Sequence, residues 1–228
     1  MNTYRKPAIF AGIFFITAQV SGILSAVILG PILDAPDYLV TISTNGTQMM
    51  LGAFCGFIMA VSAAGIAVSL YPILKKHSEG LALWASGFRL IECALFFVGV
   101  TVHLSLLTVS QAFVQAGAPD APSFHALGQM LLDGLPWLLG GLAFCLGALL
   151  YYYAFYQLKL VPRWLSGLGL IAVVLALVSY LLQFFRIETS LAFVLHMPML
   201  VQELIFAVWL IVKGVNTSAL DTASASTY

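Results

Sequence analysis

Apolar residues run along this chain in six long blocks, at roughly 8–30, 48–74, 80–111, 125–157, 163–185 and 190–213, and the breaks between them hold most of the charge. A helix that crosses a bilayer needs roughly 20 such residues, so each block is long enough to span. The pattern predicts an all-α integral membrane bundle of six transmembrane helices, with short loops that set consecutive helices antiparallel. Arg5 and Lys6 precede the first block in the manner of a signal peptide. Its apolar stretch exceeds the roughly 7–15 residues of a signal core, however, and no small-x-small cleavage site closes it, so it is expected to be a retained span. Gly30 and Pro31 are expected to end that span, and Asp34 to Asp37 to begin a loop. Residues 1–216 are expected to form one six-helix membrane domain, followed by a small, polar, disordered tail at 217–228.

Composition sharpens the picture. The chain is 61% hydrophobic and 8% charged, whereas soluble domains carry about 25% charged residues; in water this chain would expose large apolar patches. A net charge of +0 gives no basic face for nucleic acid. Cys55, Cys93 and Cys145 all fall inside apolar blocks without CxxC spacing, which reads as buried unpaired thiols. The lipid bilayer is the expected partner.

The charges also give an orientation. Arg5, Lys6, Lys75, Lys76, Lys159, Arg163 and Lys213 lie before span 1, between spans 2 and 3, between spans 4 and 5, and after span 6. The alternate loops hold Asp34, Asp37 and Asp120, with Arg186 their one base. By the positive-inside rule both termini are expected to be cytoplasmic. Tyr151, Tyr152, Tyr153, Tyr156 and Trp164, beside Lys159 and Arg163, are expected to form an interfacial aromatic belt. Gly52, Gly56, Ala60, Ala63 and Ala67 give span 2 a small-residue face for close helix packing, either inside the bundle or in a homo-oligomer.

The candidate chemistry lies in the charges left inside the apolar blocks. A charged side chain at mid-bilayer costs on the order of 3 kcal/mol on insertion scales, so it faces protein and has a partner. Glu92 follows Arg89 by three residues, on one helix face, and His103 returns to nearly that face three turns later. Glu203 lies ten residues, about 15 Å of rise, before Lys213, a depth close to that of Glu92. Two layers are therefore expected: an inner binding layer of Arg89, Glu92, Gln202 and Glu203, and an outer layer of His103, Asp133 and His196. Two histidines and a carboxylate suit a zinc with one open position, so the outer layer is a candidate metal site. Pro136 and Pro198 are expected to break backbone bonds inside spans 4 and 6, beside Asp133 and His196, freeing the carbonyls of Leu132 and Val194.

Three segments carry a family likeness: Phe88 to Glu92 (FRLIE), Leu160 to Leu165 (LVPRWL) and Glu203 to Gly214 (ELIFAVWLIVKG). In this order the chain resembles, over nearly its whole length, the bacterial membrane family catalogued as domain of unknown function 4386. The resemblance implies a multi-helix membrane fold, a bacterial plasma membrane location and the polar positions Arg89, Glu92 and Glu203. It implies no reaction. The His that relatives carry near Cys145 to Gly147 is absent here.

No HExxH, Gly-x-Ser-x-Gly, P-loop or Rossmann fingerprint is present. The residues thus point first to a non-enzymatic protein whose buried ionisable cavity binds or moves a small solute or proton. The alternatives are an intramembrane metal-dependent hydrolase using zinc, with one glutamate as general base, and a structural or regulatory protein whose buried ions fix helix register.

Overall fold

The computed structural model describes residues 4–117, 122–187 and 191–216; Asp120 and the expected tail at 217–228 lie outside them. Among the described residues eight helices follow in order: α1 (Arg5–Leu33), α2 (Tyr38–Thr44), α3 (Gly46–Leu74), α4 (Glu79–Gln115), α5 (Pro122–Leu132), α6 (Leu135–Gln157), α7 (Arg163–Phe184) and α8 (Leu191–Val212). Six helical segments among the described residues are long and apolar enough to cross a membrane, with α5 and α6 together making the fourth. Among the described residues there is no strand.

Local chemistry sets several boundaries. α4 starts where Ser78 accepts from the Leu81 amide at 3.3 Å, with Glu79 in the first turn against the positive end of the helix dipole. Lys75 bonds Glu79 at 2.8 Å across this turn, and that hydrogen bond and charge hold the Lys75 ammonium above its usual pKa.

Two prolines act differently from expectation. Pro31 does not end α1, which runs on to Leu33, with the Asp34 amide still bonded to the Gly30 carbonyl at 2.9 Å. A proline removes only its own donor, and the following amides continue the ladder. Pro136 is not an interior kink either. The helix breaks before it, at Gly134 (φ 65°), and Pro136 sits in the first turn of α6, where a missing amide hydrogen costs nothing. The short α2, in the stretch expected to be loop, was not foreseen.

The spans form a closed ring. α1 packs on α3, α3 on α4, α4 on α6, α6 on α7 and α7 on α8, and α8 returns to α1. Small hydroxyls and amides stitch the seams: Ser25 donates to the Gly52 carbonyl at 2.9 Å, Gln48 to the Ile28 carbonyl at 2.9 Å, and Ser179 to the Ala192 carbonyl at 2.9 Å. In lipid, close backbone approach and such bonds replace the hydrophobic drive between helices. Large apolar side chains such as Val27, Val68, Trp84 and Ile171 point outward, to where lipid lies.

The small-residue face of span 2 is used up within this ring. Gly52 abuts Leu29 of α1, Gly56 abuts Trp137 of α6, and Ala60, Ala63 and Ala67 are buried. It is therefore not a free surface for a homo-oligomer, because the neighbouring helices of the same chain already occupy it.

Two apolar cores close the ends of the ring. The larger includes Ala11, Phe15, Ile73, Tyr151, Phe155 and Phe206, toward the end that carries the basic loops. The smaller joins Leu29, Tyr38, Ile42, Met49, Leu106 and Phe113 at the opposite end.

The α1–α8 seam ends in a cap. The Arg5 guanidinium donates to the carbonyls of Ile211 (2.7 Å) and Val212 (3.1 Å), completing the last turn of α8. A basic side chain there also complements the negative end of the helix dipole. Arg5→Ala is expected to cost about 0.5–1.5 kcal/mol, the net worth of such bonds. A small fall in melting temperature should show it, and no fall would mean that water caps α8 equally well.

Candidate functional site

The ring encloses a cavity of about 520 Å³ to which all six spans contribute. α4 supplies Arg89 and Glu92, α8 supplies His196 and Glu203, and α1 supplies Gln19; Met59, Phe144 and Tyr180 come from α3, α6 and α7. Arg89 is 3% exposed, Glu92 5% and Glu203 4%. Mid-span carboxylates and a guanidinium thus converge because inward-facing positions are the only places where they escape lipid.

The Arg89 Nη1 lies 2.9 Å from Glu92 Oε2. The approach is that of an ion pair without hydrogen-bond alignment, for Glu92 Oε2 and Arg89 Nε are both buried with no hydrogen-bond partner. The rings of Phe144 and Phe15 stand 5.2 and 5.7 Å from the guanidinium carbon, cation–π contacts that hold it from the side. Gly147 leaves the room: a Cβ there would sit 3.3 Å from Arg89 Cγ and 3.2 Å from the Ala85 carbonyl.

Glu203 is held by different groups. Gln19 donates to its Oε2, and the Tyr151 hydroxyl donates to Oε1 at 3.3 Å. The ion pair therefore stays within α4, and neutral donors from α1 and α6 fix the second carboxylate. Arg89 meets Glu92 as expected, and its direct ion pair lies within α4.

Gln202 belongs elsewhere. Its Oε1 accepts from Tyr152 at 2.6 Å and its Nε2 donates to the Leu165 carbonyl at 3.1 Å, and it lines a separate groove with Pro198. Consecutive helix residues diverge by about 100°, and here that step turns Gln202 toward Tyr152 and Leu165 while Glu203 lines the cavity.

Tyr151 and Tyr152 depart from the expected belt in the same way. They are 1% and 0% exposed, while Tyr153 and Tyr156 are exposed at 48% and 39%. The first pair carries the hydrogen bonds to Glu203 and Gln202; only the second pair faces outward. Gln19 and Tyr180 were also missed, and for Gln19 a signal existed: a lone amide in the middle of an apolar block.

The outer layer does not assemble. His103 stacks on Trp137 with ring centroids 5.3 Å apart and lines an adjoining cavity of about 320 Å³. His196 stands edge-on to Tyr180 at 5.1 Å in the central cavity. Asp133 pairs with Arg186 at 3.0 Å on the surface. Among the described residues, no group of three or more His, Cys, Asp or Glu is placed to hold a metal. The cause is geometric: the break at Gly134 turns Asp133 outward, and the two histidines reach different cavities. The three cysteines are free, as expected.

Above His103 lies a third cavity, of about 500 Å³, lined by Asp34, Tyr38 and Gln129 among others. Burial pushes the Tyr38 hydroxyl above its usual pKa, with a hydrogen bond from Gln129 pulling the other way. It remains a neutral donor, to the His125 carbonyl at 3.3 Å.

A ring of membrane-spanning helices around a buried ionisable centre defines this as a multi-pass helical membrane protein. The chain belongs to the family described as "Domain of unknown function (DUF4386)", whose model matches residues 10–214. A relative from Archaeoglobus fulgidus, named only "Uncharacterized protein", is 25% identical over 159 residues, which are 69% of this chain and 80% of its own. No solved structure matches.

Proposed function

We propose that this chain is one membrane domain whose central cavity reversibly binds a small solute or a proton, with Glu92 and Glu203 as the exchanging groups. The basic loops favour a cytoplasmic side for both termini, and the family likeness favours a bacterial plasma membrane. The observation that carries the reading is the meeting of Arg89, Glu92, Glu203 and His196 at a single cavity of about 520 Å³. A register-fixing ion pair needs no such space, and a purely structural centre would have closed around its charges.

Infrared titration of the protein in lipid nanodiscs tests this. Glu92→Gln and Glu203→Gln should each remove one titrating carboxyl signal while the protein stays folded. If neither substitution changes the titrating carboxyl bands, the cavity is not exchanging and the structural alternative replaces this reading.

A further inference from the structure

The three cavities lie next to one another. The central one shares the lining residues Gly22, Ala26 and Met59 with the His103 cavity, and that one shares Leu33 and Asp34 with the outermost. They line up from the Asp34 end of the ring toward Glu92 and Glu203. At the far end the row meets a floor: Phe15 packs edge-on against Tyr151 (6.0 Å) and Phe206 (5.5 Å), and Phe206 against Phe155 (5.2 Å). These rings close the row of cavities at the basic-loop end.

Its charged residues are mostly acidic. Asp34 stands at the mouth and Glu92 and Glu203 at the bottom, and among the described residues Arg89 is the one Lys or Arg lining the three cavities. Arg89 pairs with Glu92 at 2.9 Å, and Glu203 is a second carboxyl group at the same cavity. The walls are aromatic: Phe96, Trp137, Phe144, Tyr180 and Phe193 present rings along the way. Ring faces attract cations, more strongly where water is excluded. At the bottom, Glu92 Oε2 is more than nine-tenths buried and has the Arg89 guanidinium as its ionic neighbour, without an aligned hydrogen bond. A bare metal ion does not suit the site, since a hard cation such as calcium wants six or more oxygens and among the described residues no group of three or more His, Cys, Asp or Glu is placed to hold one.

Resting on the binding function proposed above, we infer that the ligand is a small organic cation, an ammonium group on an apolar body, which enters past Asp34 and His103 and docks between Glu92 and Glu203. Met59 sits where the two inner cavities join and narrows the way in.

Calorimetry on the full chain in nanodiscs tests this with three probes of similar size: benzyltrimethylammonium, benzyl alcohol and phenylacetate. The cation should bind saturably and at least tenfold more tightly than the other two. Glu203→Gln, which keeps the side chain's shape, should weaken cation binding at least tenfold. Asp34→Asn lies on the surface and leaves the core untouched; it should slow cation association severalfold at low salt and much less at high salt. Met59→Trp should slow association of the cation as well. Tighter binding of phenylacetate would leave the cavity a binding site but overturn the cation assignment. Binding of none of the three, or cation binding indifferent to both Glu203→Gln and Asp34→Asn, overturns it too, and the carboxyl titration decides the broader reading separately.

Discussion

Arg89→Leu is expected to lower the melting temperature of the purified protein on the order of 10 °C, and Arg89→Leu combined with Glu92→Leu to recover most of that loss. Removing one member of a buried ion pair strands the other charge and costs about 3–5 kcal/mol, whereas replacing both by apolar groups can be neutral. For a chain of this size each kcal/mol shifts the midpoint by about 2–4 °C. Glu92 has no other hydrogen-bond donor to fall back on at Oε2. Glu203 has two, Gln19 and Tyr151, so the double variant leaves no orphaned carboxylate. Thermal denaturation of the two variants side by side provides the check. If both are equally destabilised, the Arg89–Glu92 pair is not the coupled unit described here.

Gly12→Ala is expected to open the ring. A Cβ at Gly12 would lie 2.6 Å from the Ala207 backbone carbonyl and 2.7 Å from Ile211 Cγ1. A backbone oxygen in mid-helix cannot swing aside, so α1 must move off α8 along the seam that Arg5 caps. Overpacking of this kind costs about 1–3 kcal/mol. Gly87→Ala is the matched control: nothing lies within 4 Å of its Cβ, and alanine gains about 1 kcal/mol over glycine inside a helix. Melting temperatures should move in opposite directions for the two variants. A fall for both would mean that helix propensity does not govern the half-buried Gly87 site, and no fall for Gly12→Ala would mean that the α1–α8 contact is loose.

Much of the architecture was legible in the chain because the bilayer imposes a simple rule. Apolar blocks of spanning length become helices, and a charge stranded within one turns inward; Arg89, Glu92 and Glu203 were found by that rule alone. What it lacks is the direction in which a residue faces around its helix. Helix rise gives depth, so Gln202 looked like a neighbour of Glu203, and His103 and His196 like members of one layer. Rotation separates them, and rotation is fixed by which helix packs on which. The run of tyrosines shows the same limit: Tyr151 and Tyr152 face the core while Tyr153 and Tyr156 face outward, and no residue type distinguishes them. The break at Gly134 was readable in principle. A glycine two residues before Pro136 is a left-handed turn followed by a helix start, and recognising it would have removed Asp133 from the metal set.

The most direct measurement of the central claim, a cavity open from the Asp34 end and sealed at the other, uses two positions on one face of α1. Ala18 lines the central cavity, and Ala11, seven residues and about two turns earlier, is 0% exposed within the aromatic floor. Single cysteines at these positions, in a chain with Cys55, Cys93 and Cys145 replaced by alanine, would be treated with a small cationic thiol reagent from each side of a sealed membrane. Ala18→Cys should react from the Asp34 side only, and Ala11→Cys should stay unreactive from both. Reaction of Ala11→Cys as fast as Ala18→Cys, or of Ala18→Cys from the basic-loop side, would contradict the account.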